Sequence, residues 1–155
     1  MISIGLNDTQ RSDMALMLNT LLANEYVLYT KTLKFHWNVR GKHFGALHQL
    51  FEKQYEQLLD IVDRIAERVR ALGELSMGSL REFMAEASVQ EEPGMNPDDL
   101  GMIRQLVADH ELIIRLIREY SMRAAQLHDE GTVNMLGDII EMHEKNAWML
   151  RAHLE

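Results

Sequence analysis

The sequence predicts an all-α protein: a bundle of four long helices with a long crossover, carrying a short extra helix, between the second and the third. Three observations predict it. Apolar residues recur at steps of three and four along four separate segments, and nothing alternates with the period of a strand. Only two prolines interrupt the 155 residues, so long helices are permitted. Both prolines, with Gly73, Gly78 and Gly94, gather in the one stretch 73–97, which is long enough to run the length of a bundle.

The first helix is expected from about Asn7 to Asn38, with Met14, Leu18, Leu21, Leu22, Tyr26, Tyr29 and Leu33 at helical spacing. The turn 38–41 is short, and short turns make neighbouring helices antiparallel. The second helix starts near Phe44 and carries Leu47, Leu50, Phe51, Leu58, Ile65 and Leu72, with Gly73 as its stop. Ser79–Glu86 is a short helical candidate inside the crossover. Asn96 is placed to cap the third helix, Pro97 fits its first position, and Asp98 and Asp99 suit the positive end of the dipole. That helix runs through Ile103, His110, Ile117 and Leu127. A break at 128–131 follows, then a fourth helix from about Thr132 through Leu150. Two helix pairs joined by one long crossover is the ferritin-like arrangement within a single domain, 1–155.

Composition narrows the chemistry. There is no cysteine, so a metal here would use imidazole and carboxylate ligands. No apolar run approaches the roughly 18 residues of a membrane span. The segment Met1–Leu6 lacks the basic and apolar parts of a signal peptide, so the expected location is the cytoplasm, the nucleoid included. The net charge is −8, and residues 1–13 hold one basic side chain, Arg11, against Asp8 and Asp13. The last residues, Arg151 to Glu155, form no basic tail. Such a surface repels nucleic-acid phosphates.

The second helix carries the chemistry. His48 and Glu52 share a face four residues apart, as do Asp63 and Glu67, and His36 lies near the end of the first helix. His48 and Asp63 are separated by ~22 Å along one helix and cannot hold the same ion. If two copies of the helix pack antiparallel across a twofold axis near residues 55–56, His48 of one chain faces Asp63 of the other, and two equivalent sites form. Tyr55, Leu58 and Leu59 would fill the middle of that contact. The simpler alternative is acidic pairs on a solvated helix face and a hydrogen-bonded histidine beside an apolar stripe.

The run Lys31-Thr32-Leu33-Lys34-Phe35-His36-Trp37-Asn38-Val39-Arg40-Gly41 resembles the Dps family, the mini-ferritins named for DNA protection in starved cells. The resemblance continues through Phe44, Leu47, His48, Phe51, Glu52, Gln54 and Tyr55, then Asp63, Ala66, Glu67 and Arg68, and closes on His143-Glu144-Lys145 and Trp148 to Ala152. It implies a hollow dodecamer and a di-iron ferroxidase centre at the twofold interface. His36 and His48 would come from one subunit, Asp63 and Glu67 from the other. Glu52 stands where the family commonly has Asp, so the second iron position is expected to differ. Trp37 adjoins the centre in the family as a redox-active neighbour; its alternative is interface packing. The implied reaction oxidises Fe(II), preferentially with hydrogen peroxide, and stores Fe(III) mineral, which protects DNA. The family lines threefold pores with acids near the start of the fourth helix. Asp129 and Asp138 match two such positions, and the third is Asn134, where Asp is frequent. These acids could instead cap and solvate a helix start.

The sequence contains no Glu-x-x-His, the motif expected of a larger ferritin with its site inside one subunit. A DNA-compacting Dps that binds DNA directly and a shell protein with an idle site also compete with iron oxidation as the function. Weak or absent DNA binding is expected. His43, His110, His128, His143 and His153 read as surface or satisfied core residues.

Overall fold

A computed structural model describes residues 2–155; Met1, the first residue of the N-terminal segment Met1–Leu6, lies outside the described residues. Five helices account for the fold: α1 (Asp8–Asn38), α2 (Phe44–Ala71), α3 (Leu80–Glu86), α4 (Asp99–Gln126) and α5 (Glu130–Arg151). The described residues contain no strand. The four long helices and the long crossover are those expected, and α3 occupies its expected place, capped by Ser79 in a capping box with Glu82. No helix among the described residues is long and apolar enough to cross a membrane.

Helix boundaries follow local chemistry. Asn7 accepts a hydrogen bond from the Gln10 backbone N–H, and the Gln10 side chain accepts from the Asn7 N–H in return, closing a capping box at the start of α1. Gly73 stops α2 at φ +92°, a conformation that glycine adopts without penalty. The cap of α4 differs from expectation. Asp98, not Asn96, accepts from the Gly101 N–H at 2.7 Å, so Pro97 lies before the helix rather than in its first turn. A carboxylate is the stronger acceptor for a helix N–H. The break before α5 is shorter than expected, because His128 turns the chain at φ +60° and Asp129 already caps Thr132.

The core is a continuous apolar seam of Leu18, Leu22, Leu28, Phe35, Phe51, Leu58, Ile65, Ile103, Ile113, Leu136 and Leu150, all essentially inaccessible. Leu58, expected at a subunit contact, is instead part of this seam. It falls on the same stripe as Phe51, Ile61 and Ile65, at helical spacing from each.

The crossover is laced to one face of α1. The Asn19 amide donates to the Leu75 carbonyl and accepts from the Met77 N–H. Asn24 Oδ1 accepts from the N–H groups of Ser88 and Val89, at 2.8 and 2.9 Å. Lys31 donates to the Gln90 carbonyl, and Lys34 to those of Glu92 and Met95. These contacts advance in step along α1 and hold an irregular segment against the bundle, which otherwise offers no backbone partner. Truncating Asn24 to alanine leaves two N–H groups without an acceptor, one of them buried. The expected cost is ~2–4 kcal/mol, read as a lower denaturation midpoint in guanidinium. A midpoint equal to that of the wild type would show that the lacing contributes nothing.

Candidate metal centre

The end of α1 and the start of α2 bring His36 and His48 face to face. Their rings stack with centroids 3.8 Å apart and planes 16° from parallel. Each ring Nδ1 sits 2.8 Å from the other residue's backbone carbonyl: His36 Nδ1 on His48 O, and His48 Nδ1 on His36 O. A carbonyl can only accept, so both Nδ1 atoms carry a proton and donate. In the neutral form of each ring the Nε2 atom then carries the lone pair, the tautomer required of an imidazole that ligates a metal through Nε2. The helix end makes this possible. His36 lies in the last turn of α1, where carbonyls lack intrahelical partners.

The acids are presented differently. Glu52 follows His48 by one turn on α2 and is exposed, beside Tyr55. Desolvation and the neighbouring carboxylates of Glu52 and Glu56 raise the pKa of the Tyr55 phenol, so it stays protonated at neutral pH. Asp63 and Glu67 are exposed farther along α2 and join no hydrogen bond or ion pair among the described residues. The structure thus brings His36 and His48 together and leaves Asp63 and Glu67 apart from them. Accordingly, no group of three His, Asp or Glu able to hold a metal forms among the described residues of one chain. Large apolar side chains are exposed along α2 and beside the histidines: Leu59 is 48% exposed, Phe44, which stacks on His48, 47%, and Trp37 68%. Trp37 forms no ring contact with the histidine pair among the described residues.

The three residues expected at a pore lie along the first half of α5 and at its cap. Asp129 is only 3% exposed; its carboxylate caps α5 at Thr132 and pairs with the Arg68 guanidinium at 2.5 Å. It is a buried, neutralised cap rather than an open acid. Asn134 is exposed, and Asp138 is exposed but paired with Arg64 at 3.0 Å. The two acids are thus each matched by an arginine of α2, which reduces any attraction for cations.

Comparison with known proteins agrees with this architecture. A ferritin-like domain model matches residues 15–155. A low-temperature-induced protein of Nostoc sp. is 44% identical over 155 residues, covering 99% of this chain and 87% of that protein. DNA protection during starvation protein 2 of Bacillus anthracis is 35% identical, covering 89% of this chain and 94% of the relative. The crystal structure of a Dps protein from Vibrio cholerae, described as a member of a broad superfamily of ferritin-like diiron-carboxylate proteins, superposes with a TM-score of 0.95. It is 35% identical and covers 100% of this chain and 97% of that one. The chain belongs to the Dps family of ferritin-like proteins.

Within this Dps bundle lies a polar cluster whose two histidines were expected as surface or satisfied core residues and whose carboxylate was not anticipated. Glu25 of α1, His143 of α5 and His110 of α4 are all fully buried. His143 Nε2 lies 2.8 Å from Glu25 Oε1, and His143 Nδ1 lies 2.8 Å from His110 Nδ1. Two facing ring nitrogens need one shared proton, so one imidazole donates and the other accepts. A second buried pair, Lys31 with Asp109 at 2.7 Å, ties α1 to α4. The signal was present in the sequence: Glu25 occupies a position of the apolar stripe that runs from Leu18 through Leu22 to Leu28.

Burial, reinforced by His143, holds the pKa of His110 well below its ordinary 6.5. His110 therefore stays neutral in the fold and takes a proton more readily in the unfolded chain. Its contribution to stability is complete above about pH 6.5 and is lost as pH falls below that value. Thermal midpoints should drop between pH 7 and pH 5, and the drop should be smaller in His110→Asn. An equal drop in wild type and variant would remove His110 as the cause.

Proposed function

We propose that this Dps protein oxidises Fe(II) at two equivalent centres formed across a twofold contact between α2 helices. His36, His48 and Glu52 come from one chain, and Asp63 and Glu67 from the other. The observation that carries this reading is the reciprocal imidazole–carbonyl bonding, which leaves the Nε2 atoms of two stacked rings without a protein partner among the described residues. The exposed, unpaired acids of α2 supply the anionic half that the histidines lack. Antiparallel pairing about residues 55–56 would bring the two halves together without any change in the chain.

The donor set suits the reaction. Imidazole holds Fe(II), and carboxylates, as hard anionic ligands, favour Fe(III). With hydrogen peroxide as oxidant, two Fe(II) and two protons reduce one peroxide to two waters, and the Fe(III) accumulates as mineral within a hollow dodecamer. Removing both reagents together prevents hydroxyl-radical formation, which would protect DNA in the cytoplasm without requiring contact with it. The net charge of −8 opposes direct binding to phosphates, so DNA binding is weak or absent. The names of the relatives fit this protective role. The longer arm of Glu52 reaches the second iron position. Because the Asp129 and Asp138 acids are paired with arginine, iron uptake should depend less on a charged pore than on the centre itself.

Complementation between defective chains tests the sharing directly. His36→Ala/His48→Ala and Asp63→Ala/Glu67→Ala chains should each be inactive alone. Refolded together, they form mixed dimers in which one of the two centres is intact, giving about a quarter of the wild-type peroxide-driven oxidation rate under random pairing. A mixture no faster than its components would show that the four residues do not act across chains.

A further inference from the structure

A chain of aromatic rings leads away from the histidine pair. The Tyr55 ring stands edge-on to His36, centroids 5.2 Å apart at 71°. Tyr29 stands edge-on to Tyr55 at 6.2 Å, and Tyr26 to Tyr29 at 5.6 Å. Tyr26 then stacks on Phe83 of α3 at 4.5 Å. Tyr26, Tyr29 and His36 lie on one side of α1 at spacings of three and seven, and Tyr55 of α2 fills the gap between Tyr29 and His36. All three phenols are half-buried. Phenylalanine has no hydroxyl to lose a proton, so the oxidisable part of the chain ends at Tyr26. Edge contacts of this kind also stabilise packing, but packing alone would be served as well by phenylalanine or leucine.

Peroxide-driven iron oxidation leaves a use for such a chain. Peroxide takes two electrons, and a centre holding two Fe(II) supplies both. A centre holding one Fe(II) supplies only one, and the remaining oxidising equivalent would leave as hydroxyl radical. Half-filled centres arise whenever Fe(II) is scarcer than the positions that bind it.

We propose that Tyr55, backed by Tyr29 and Tyr26, supplies the second electron when peroxide meets a half-filled centre. The inference rests on the proposed peroxide-driven oxidation of iron at that centre. The O–O bond of hydrogen peroxide breaks. One electron comes from Fe(II), which becomes Fe(III), and one from the phenol, whose O–H bond breaks to give a neutral tyrosyl radical. The phenol proton and one proton from solvent complete two waters. The net change is H2O2 + Fe(II) + TyrOH + H+ giving Fe(III) + TyrO• + 2 H2O. Exchange along the ring contacts then spreads the radical over Tyr29 and Tyr26, away from the metal. Trp37 is the competing donor, but it joins no ring contact with these tyrosines among the described residues.

The test uses the assembled protein, loaded without oxygen with less Fe(II) than one ion per centre, mixed with hydrogen peroxide and freeze-quenched for electron paramagnetic resonance. Absorbance on the same samples follows Fe(III). Wild type should give an organic radical whose hyperfine pattern changes when the protein carries ring-deuterated tyrosine. Tyr55→Phe should lose that signal and release more spin-trapped hydroxyl radical. Trp37→Phe should retain it, and Tyr29→Phe should keep it with a shorter lifetime. Fe(III) formation without a tyrosyl signal, or a tyrosyl signal untouched in Tyr55→Phe, would overturn this inference and leave the iron reading standing. Absence of Fe(III) formation above the protein-free rate would overturn the iron reading, and this inference with it.

Discussion

Two hydrogen bonds of 2.8 Å between imidazole Nδ1 atoms and backbone carbonyls set the terms for the site. They join the end of α1 to the start of α2, so the turn between these helices is closed by the two side chains proposed as ligands. They also settle the tautomer of both rings, since a carbonyl accepts only. A histidine bonded through a side-chain partner could switch; one bonded to backbone at a helix end cannot do so without moving the helix. Stacking at 3.8 Å then holds the two rings against each other. Preorganisation of this kind spares a metal site the ordering of flexible side chains.

The remainder of the bundle holds that clamp in place. The crossover is laced along α1 by Asn19, Asn24, Lys31 and Lys34, and the last of these lies just two residues before His36. Buried polar pairs, Glu25 with His143 and Lys31 with Asp109, tie α1 to α5 and α4. Such groups contribute little net stability, because desolvation offsets their attraction. They do select one alignment of helices whose apolar seams could otherwise slide.

Much of the fold was legible because it rests on periodic apolar residues and on punctuation by Asn7, Ser79 and Gly73. The parts that were not legible share a cause: the sequence shows which groups a residue carries, not which neighbours claim them first. Asp98 took the cap expected of Asn96. Leu58, expected at a subunit contact, turned into the core because its stripe continues through Phe51 and Ile65. Asp129 reads in the sequence as an acid near a helix start, and only the fold shows that Arg68, 61 residues away, pairs with it. His36 and His48 were legible as a pair, but their reciprocal bonding to each other's carbonyls depends on a turn geometry that no spacing rule gives. Glu25 was overlooked although a carboxylate amid leucines announces a buried partner.

The central claim is that each metal centre takes its histidines from one chain and its acids from another. Crystals of the assembled protein soaked anaerobically with Fe(II), measured at the iron absorption edge, test it most directly. An anomalous peak is expected at coordinating distance from the Nε2 atoms of His36 and His48 and from the Asp63 and Glu67 carboxylates of the adjoining subunit. A peak inside a single bundle, beside Glu25 and His143, or one bound by the histidines with no second subunit near it, would contradict the account.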